Sequence, residues 1–327
     1  VPDLPDVRRR VPSLIASRPT WRTVRLLAWA SVVANVVIVV TGGAVRLTAS
    51  GLGCPTWPKC GEESYVTHGE LGIHGAIEFG NRLLTFVLAA VAIATLVAAV
   101  RARPRRSGPV RIAMALFLGI PLQAVIGGIT VLTKLNPWVV MLHFLLSMVL
   151  VGLATLLVQR TGEGDGPARL VVHPMLHRLG LAILGLTAVV LYLGTVVTGS
   201  GPHAGDLDAK RTGLDPDRMS QLHADGVFLM VGLTLAMVFA LAAVNAPAQA
   251  RRAAVVLLGV ELAQGVVGFV QFFTGLPEVL VALHMLGAGV TVVAAVRLVL
   301  ALRVRAAELP EPRRPAVAAV PASAAVP

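Results

Sequence analysis

Leu122-Gln-Ala-Val-Ile-Gly-Gly-Ile-Thr-Val-Leu-Thr-Lys-Leu-Asn-Pro-Trp-Val-Val-Met-Leu-His143 and Ala263-Gln-Gly-Val-Val-Gly-Phe-Val-Gln-Phe-Phe-Thr-Gly-Leu-Pro-Glu-Val-Leu-Val-Ala-Leu-His284 are two versions of one segment. Gln123, Val125, Gly127, Thr133, Leu142 and His143 recur without a gap as Gln264, Val266, Gly268, Thr274, Leu283 and His284, at an offset of 141. Upstream, Val39-Val40-Thr41-Gly42 recurs as Val196-Val197-Thr198-Gly199. Shared apolar composition alone would not preserve a Gln and a His inside two hydrophobic runs. The chain is therefore read as a tandem duplication.

The repeat lies in a sequence built for lipid. Hydrophobic residues make up 56% of the 327 and charged residues 14%, against about a quarter charged in soluble domains. A bilayer crossing needs about 20 apolar residues. Runs of that kind are Leu26–Val45, Leu83–Val100, Ile112–Thr133, Pro137–Val158, Leu179–Ser200, Gly226–Val244, Ala253–Thr274 and Val279–Val296. The first is too long for the core of a cleaved signal peptide. Four spans per copy is an even number, so both copies enter from the same side. The expected fold is an all-α integral membrane protein of eight transmembrane helices, arranged as two four-helix bundles related by a pseudo-twofold axis along the membrane normal.

The net charge of +11 could suggest a nucleic-acid partner, but the basic residues sit in short segments between apolar runs. Arg8, Arg9, Arg10, Arg18 and Arg22 precede the first span, and Arg101, Arg103, Arg105 and Arg106 follow the second. Arg160, Arg169 and Arg178 separate the halves, Arg251 and Arg252 follow the sixth span, and Arg303, Arg305, Arg313 and Arg314 follow the eighth. With eight spans all of these fall on one side, which the positive-inside rule makes cytoplasmic, together with both termini. The domain reading is an N-terminal segment 1–23, a first half 24–160, a linker 161–178, a second half 179–304 and a tail 305–327. The tail beyond Glu308, rich in Pro and Ala, is expected to be disordered.

Ionisable groups inside spans are costly and mark functional or bundle-interior positions. His143 lies about two turns into span four, and His284 has the same depth in span eight. His223 stands near the outer start of span six. Two imidazoles from two helices of one half, at matched depth, suit six-coordinate haem iron. A lone His is more often hydrogen-bonded packing; the matched pair reverses that preference. Zinc would need further ligands that are not near in sequence. In the first half Asn81 takes the position of His223, at an offset of 142. His74, Glu78 and Asn81 share a helical face at i, i+4 and i+7. Either half two holds a stable cofactor and half one a reactive site, or half one has lost its cofactor. Cys54 and Cys60 flank Pro-Thr-Trp-Pro-Lys in the first outer loop, and can be a structural disulfide or a redox-active pair. His68, His203, His173 and His177 read as solvated loop residues. Asp225 and Glu261 read as hydrogen-bonding within the bundle interior, and Pro121 as a kink in span three.

The stretch Thr41-Gly42-Gly43-Ala44-Val45-Arg46-Leu47-Thr48-Ala49-Ser50-Gly51-Leu52-Gly53-Cys54-Pro55-Thr56-Trp57-Pro58-Lys59-Cys60 resembles the first outer loop of haem A synthases. Glu78-Phe79-Gly80-Asn81-Arg82 is similar to their Glu-x-x-His-Arg motif, and the Leu-Gln-Ala-x-x-Gly and Leu-His segments fit as well. The resemblance covers roughly residues 24 to 300. It implies a membrane oxidoreductase that converts the C8 methyl of haem O to a formyl group, through successive hydroxylations, for cytochrome oxidase assembly. It implies haem b on His223 and His284, substrate haem O on His143 with Glu78 as the catalytic carboxylate, and a loop disulfide Cys54–Cys60. Arg82 and Arg46 would pair the haem propionates or anchor headgroups. The family's amino-terminal His is Asn81 here. The expectation is five-coordination by His143, with Asn81 and Glu78 on the distal side; His74 could replace the missing ligand only from two turns away, about 10 Å along the helix. Implied partners are a membrane haem O synthase that supplies the substrate and the lipid of the cell membrane, with no nucleic acid; the sequence does not name the electron donor or acceptor. The alternative function is a dihaem electron-transfer protein without haem-modifying activity; a transporter would need a midplane site, which these polar groups do not form.

Overall fold

The computed structural model describes residues 18–67 and 69–305. Arg8, Arg9, Arg10, His68, Arg313, Arg314 and the tail beyond Glu308 lie outside the described residues. Among those described are eight helices long and apolar enough to cross a membrane: α1 Trp21–Leu47, α2 Gly72–Arg101, α3 Ser107–Leu132, α4 Pro137–Thr161, α5 Pro174–Ser200, α6 Pro216–Ala243, α7 Ala248–Phe273 and α8 Glu278–Ala301. Phe86, Phe239 and Phe273 are among the large apolar side chains that face outward, as lipid-embedded surfaces require. The chain is a multi-pass membrane protein built on these helices.

Local chemistry sets the helix starts. Asn136, His173 and Asp215 each turn a side-chain acceptor onto a first-turn amide, and each is followed by Pro as the first helical residue. A capping acceptor satisfies an orphan N–H and proline supplies a preset φ. Two helices begin well before the apolar runs suggest. α2 starts eleven residues before Leu83 and α6 ten before Gly226. The extra turns hold His74, Glu78, Asn81, Arg82 and His223, the polar residues that break the hydropathy count. α3 continues as helix through Pro121.

Helix pairing repeats between the halves. α1–α2, α2–α3, α3–α4 and α1–α4 close one ring of four, and α5–α6, α6–α7, α7–α8 and α5–α8 close the other. The rings meet through α4 with α8, α1 with α8, and α4 with α5. Gly43 of α1 admits Met285 of α8, and Gly199 of α5 admits Met141 of α4. Each half thus offers a glycine of its first helix to a methionine of the other half's last, the close approach that small residues allow between membrane helices. The repeat reaches the backbone. Lys134–Leu135 and Gly275–Leu276 both have positive φ, and the amides of Leu135 and Leu276 close on Thr130 and Gln271 carbonyls at 2.8 and 2.7 Å.

The linker between the halves contains a feature the sequence reading did not include. Ala168–Leu170 forms an antiparallel ribbon (β1) with Arg303–Arg305 (β2), tying the linker to the exit of α8. Arg160 and Arg305 pair with Glu163, and Arg160 and Arg106 with Asp165, on this arginine-rich end.

Candidate functional site

At the opposite end of the bundle the two histidines of the repeat sit in matching frames. The Gln123 side chain donates to the His143 carbonyl at 3.0 Å, and Gln264 to the His284 carbonyl at 2.9 Å. Each Gln is on the third helix of its half and each His on the fourth. The imidazoles lie against glycine: a Cβ on Gly127 would stand 3.2 Å from His143 Cε1, and one on Gly268 3.4 Å from His284 Cε1. In both rings Nδ1 is buried without a hydrogen-bond partner, and neither ring forms a hydrogen bond among the described residues. A buried polar atom left unpaired costs about 1–3 kcal/mol, so two such rings in equivalent positions call for a ligand.

His223 completes the second half differently. Its Nδ1 lies 3.1 Å from the Val190 carbonyl of α5. Donation there fixes the tautomer and leaves the Nε2 lone pair for a metal, the usual outer-shell arrangement of a ligating histidine. Gly194, one turn along α5, brings the backbone onto the ring, with a Cβ there 3.1 Å from Cε1. His223 on α6 and His284 on α8 belong to the same ring of four helices. Two imidazoles without a third protein ligand fit an iron whose other four positions belong to a porphyrin. No group of three or more His, Cys, Asp or Glu arranged to hold a metal ion occurs among the described residues.

The first half lacks the second imidazole. Asn81 Oδ1 accepts from Thr41 Oγ1 at 2.8 Å, which ties α2 to α1. His74 is exposed and its Nδ1 lies 2.9 Å from Ser50 Oγ, in the loop rather than beside Asn81.

Glu78 is 6% exposed and both its oxygens are engaged. Oε2 accepts the Cys54 amide at 2.6 Å, and Oε1 accepts Arg82 Nη2 at 2.6 Å and Nε at 3.1 Å. Arg82 also donates to the carbonyls of Cys54, Thr56 and Lys59, at 3.0, 3.1 and 3.0 Å. The i, i+4 pair therefore clasps the loop closed by the Cys54–Cys60 disulfide, both of whose cysteines are inaccessible. That loop lays Trp57 on Gly128 of α3, the residue after the one against His143. Arg46 donates to the carbonyls of His203 and Thr198, reaching into the second half. Arg46 thus turns its donors to backbone carbonyls, and Arg82 divides its donors between Glu78 and backbone carbonyls.

Several expected roles change. His203 is half-buried and bonds the Leu276 carbonyl at 3.0 Å, so it belongs to the packed junction of the loops. His173 caps α5. Asp225 is exposed and accepts from Gln221 at 2.7 Å, on the outside of α6, because its position on the helix turns it away from His223. Glu261 keeps its expected place: it is fully buried and accepts from Thr234 at 2.8 Å.

Comparison with known proteins adds an independent line. The family model of COX15-CtaA, cytochrome oxidase assembly protein, matches residues 25–73 and 67–205, more than half of the chain. Relatives include the haem A synthase of Symbiobacterium thermophilum, 28% identical over 188 residues, covering 55% of this chain and 60% of that protein. The haem A synthase of Exiguobacterium sibiricum is 29% identical over 175 residues, covering 50% and 56%. That of Geobacillus thermodenitrificans is 31% identical over 118 residues, covering 34% of each. The matches thus span from about a third to three fifths of those relatives' length. The family match contains Glu78, Asn81 and His143 but stops before His223 and His284, which are tied to it through the internal repeat.

Proposed function

The chain belongs to the COX15-CtaA family of cytochrome oxidase assembly proteins, and on that premise we propose that it is a haem A synthase, oxidising the C8 methyl of haem O to a formyl group. The observation that carries this reading is the duplicated histidine frame with unequal completion: His284 is matched by His223, His143 by Asn81. The fully furnished half suits a resident haem b on His223 and His284, where bound haem b would supply one-electron relay. The incomplete half suits a substrate haem that must arrive, react and leave.

The chain's own groups have distinct tasks in this reading. Val190 holds His223 in the metal-ready tautomer, while Gly194 and Gly268 let two helices close on the rings. Gln264 pins the backbone that carries His284. In the first half, His143 ligates the iron of substrate haem O, with Gln123 and Ser147 fixing its helix turn. Asn81, tied to Thr41, lines the other side and leaves that position open. Glu78 accepts a proton, or stabilises positive charge developing at the methyl carbon. Its oxygens already accept three hydrogen bonds and keep one lone pair on Oε2, beside the Cys54 amide, so a proton taken there weakens that bond and couples chemistry to the position of the disulfide loop, whose polar groups are already engaged. For the same reason a propionate reaching Arg82 or Arg46 would have to displace backbone carbonyls. The arginine distribution supports cytoplasmic termini and a site near the outer face of the cell membrane, and the reading takes substrate from a membrane haem O synthase.

The test is expression in cells that make haem O but no haem A, followed by mass identification of extracted pigments. Haem A is expected with the wild-type chain, and its loss with Glu78→Gln at unchanged protein level. A purified protein that carries haem b while haem O stays unmodified would replace this reading with dihaem electron transfer.

A further inference from the structure

Toward the arginine-rich side, beginning about two turns beyond His143 on α4, the junction of the two halves is not closed. α4, α5 and α8 leave a crevice of about 300 Å³, walled by Leu156 of α4, Leu184 of α5 and Val299 of α8, with Gly152 at its back. Every lining residue is apolar except Arg303, at the exit of α8. The Arg303 guanidinium makes no hydrogen bond or ion pair with another described residue, although the neighbouring Arg160, Arg305 and Arg106 all have carboxylate partners. Four arginines here share two carboxylates, Glu163 and Asp165, so the pocket mouth carries excess positive charge. Burial, then the nearby charges of Arg305 and Arg160, lower the Arg303 pKa from its ordinary value, against a lift from Glu163. An anion would relieve this.

We propose that the crevice binds one anionic phospholipid, with an acyl chain along α4, α5 and α8 and its phosphate on Arg303. An empty apolar slot facing lipid forfeits dispersion contacts that a hydrocarbon chain restores. Basic pockets between helices on the positively charged side recognise anionic headgroups. Free phosphate could use the charge but not the slot, and a neutral lipid the slot but not the charge. Neither the haem site nor the loop clasp is involved, so the inference stands apart from the proposed activity.

The test is native mass spectrometry of the full chain in detergent, offered equal phosphatidylglycerol and phosphatidylcholine with identical acyl chains. The first bound lipid should be phosphatidylglycerol by about fivefold, the factor expected of one arginine at an anionic headgroup. Arg303→Gln should abolish the preference, and Leu156→Trp, which fills the slot, should lower first-lipid occupancy for both. Should Arg303→Gln fail to fold, Leu156→Trp decides alone: a lost first lipid supports the site and unchanged binding overturns it. Equal retention of the two lipids by the wild type, or a lipid-free dimer closed on this face, would also overturn it.

Discussion

Removing Arg82 should convert the sealed disulfide loop into a labile one. Arg82→Met deletes three bonds to loop carbonyls and the ion pair that orients Glu78, whose other oxygen holds the Cys54 amide. Net contributions of such bonds are about 0.5–1.5 kcal/mol each. Arg82 is partly solvated, with 22% of its side chain exposed, so the lower part of the range applies. The loop loses about 2–3 kcal/mol, which raises its open population about 30- to 150-fold. Since Cys54 and Cys60 are inaccessible in the closed loop, reduction by a phosphine requires opening and should accelerate by the same factor. The assay is timed exposure to reductant, thiol alkylation with a mass tag, and quantification of the singly and doubly tagged chain. A reduction rate within twofold of wild type, in a protein that still melts cooperatively, would refute the claim that Arg82 clasps the loop.

Other consequences follow from the same geometry. Gly127→Ala and Gly194→Ala put a methyl at 3.2 and 3.1 Å from the His143 and His223 rings, whereas Gly268→Ala meets His284 at an ordinary 3.4 Å. The first two should lower haem retention severalfold and the third little, as read by the haem-to-protein ratio after purification. His143→Ala should abolish haem A formation while leaving the haem b content intact, measured by pyridine haemochrome and pigment mass. Gln264→Leu, which removes one bond to the His284 carbonyl, should lower thermal stability by about 1 kcal/mol; Gln123→Leu removes two, to the His143 carbonyl and to Ser147 Oγ, and should cost more. A scanning thermal melt of both variants tests that order.

Much of this was legible in the sequence because the signals are one-dimensional. Eight hydrophobic runs report eight spans, and a Gln–Gly–His pattern conserved across a 141-residue offset reports the duplicated frame. Hydropathy alone under-reports the starts of α2 and α6, because Glu78, Asn81, Arg82 and His223 lower it there, whereas the i, i+4, i+7 spacing of His74, Glu78 and Asn81 already puts them on a helix. The clasp was half visible: Glu78 and Arg82 are four apart, but nothing local says that Cys54, Thr56 and Lys59 supply acceptors. Arg46 reaching His203 and His203 reaching Leu276 are tertiary matters between segments about 70 to 160 residues apart, and no periodicity encodes them. The Val190 carbonyl under His223 is likewise invisible, since any residue there offers the same carbonyl. The ribbon of Ala168–Leu170 with Arg303–Arg305 is too short for an alternating pattern.

Electron paramagnetic resonance of the oxidised, haem-loaded protein tests the centre of the account. One low-spin ferric haem with two imidazole ligands should be present in the wild type and in His143→Ala, and absent from both His223→Ala and His284→Ala. If that signal survives the loss of either His223 or His284, the two helices do not share an iron and the division of the halves is wrong.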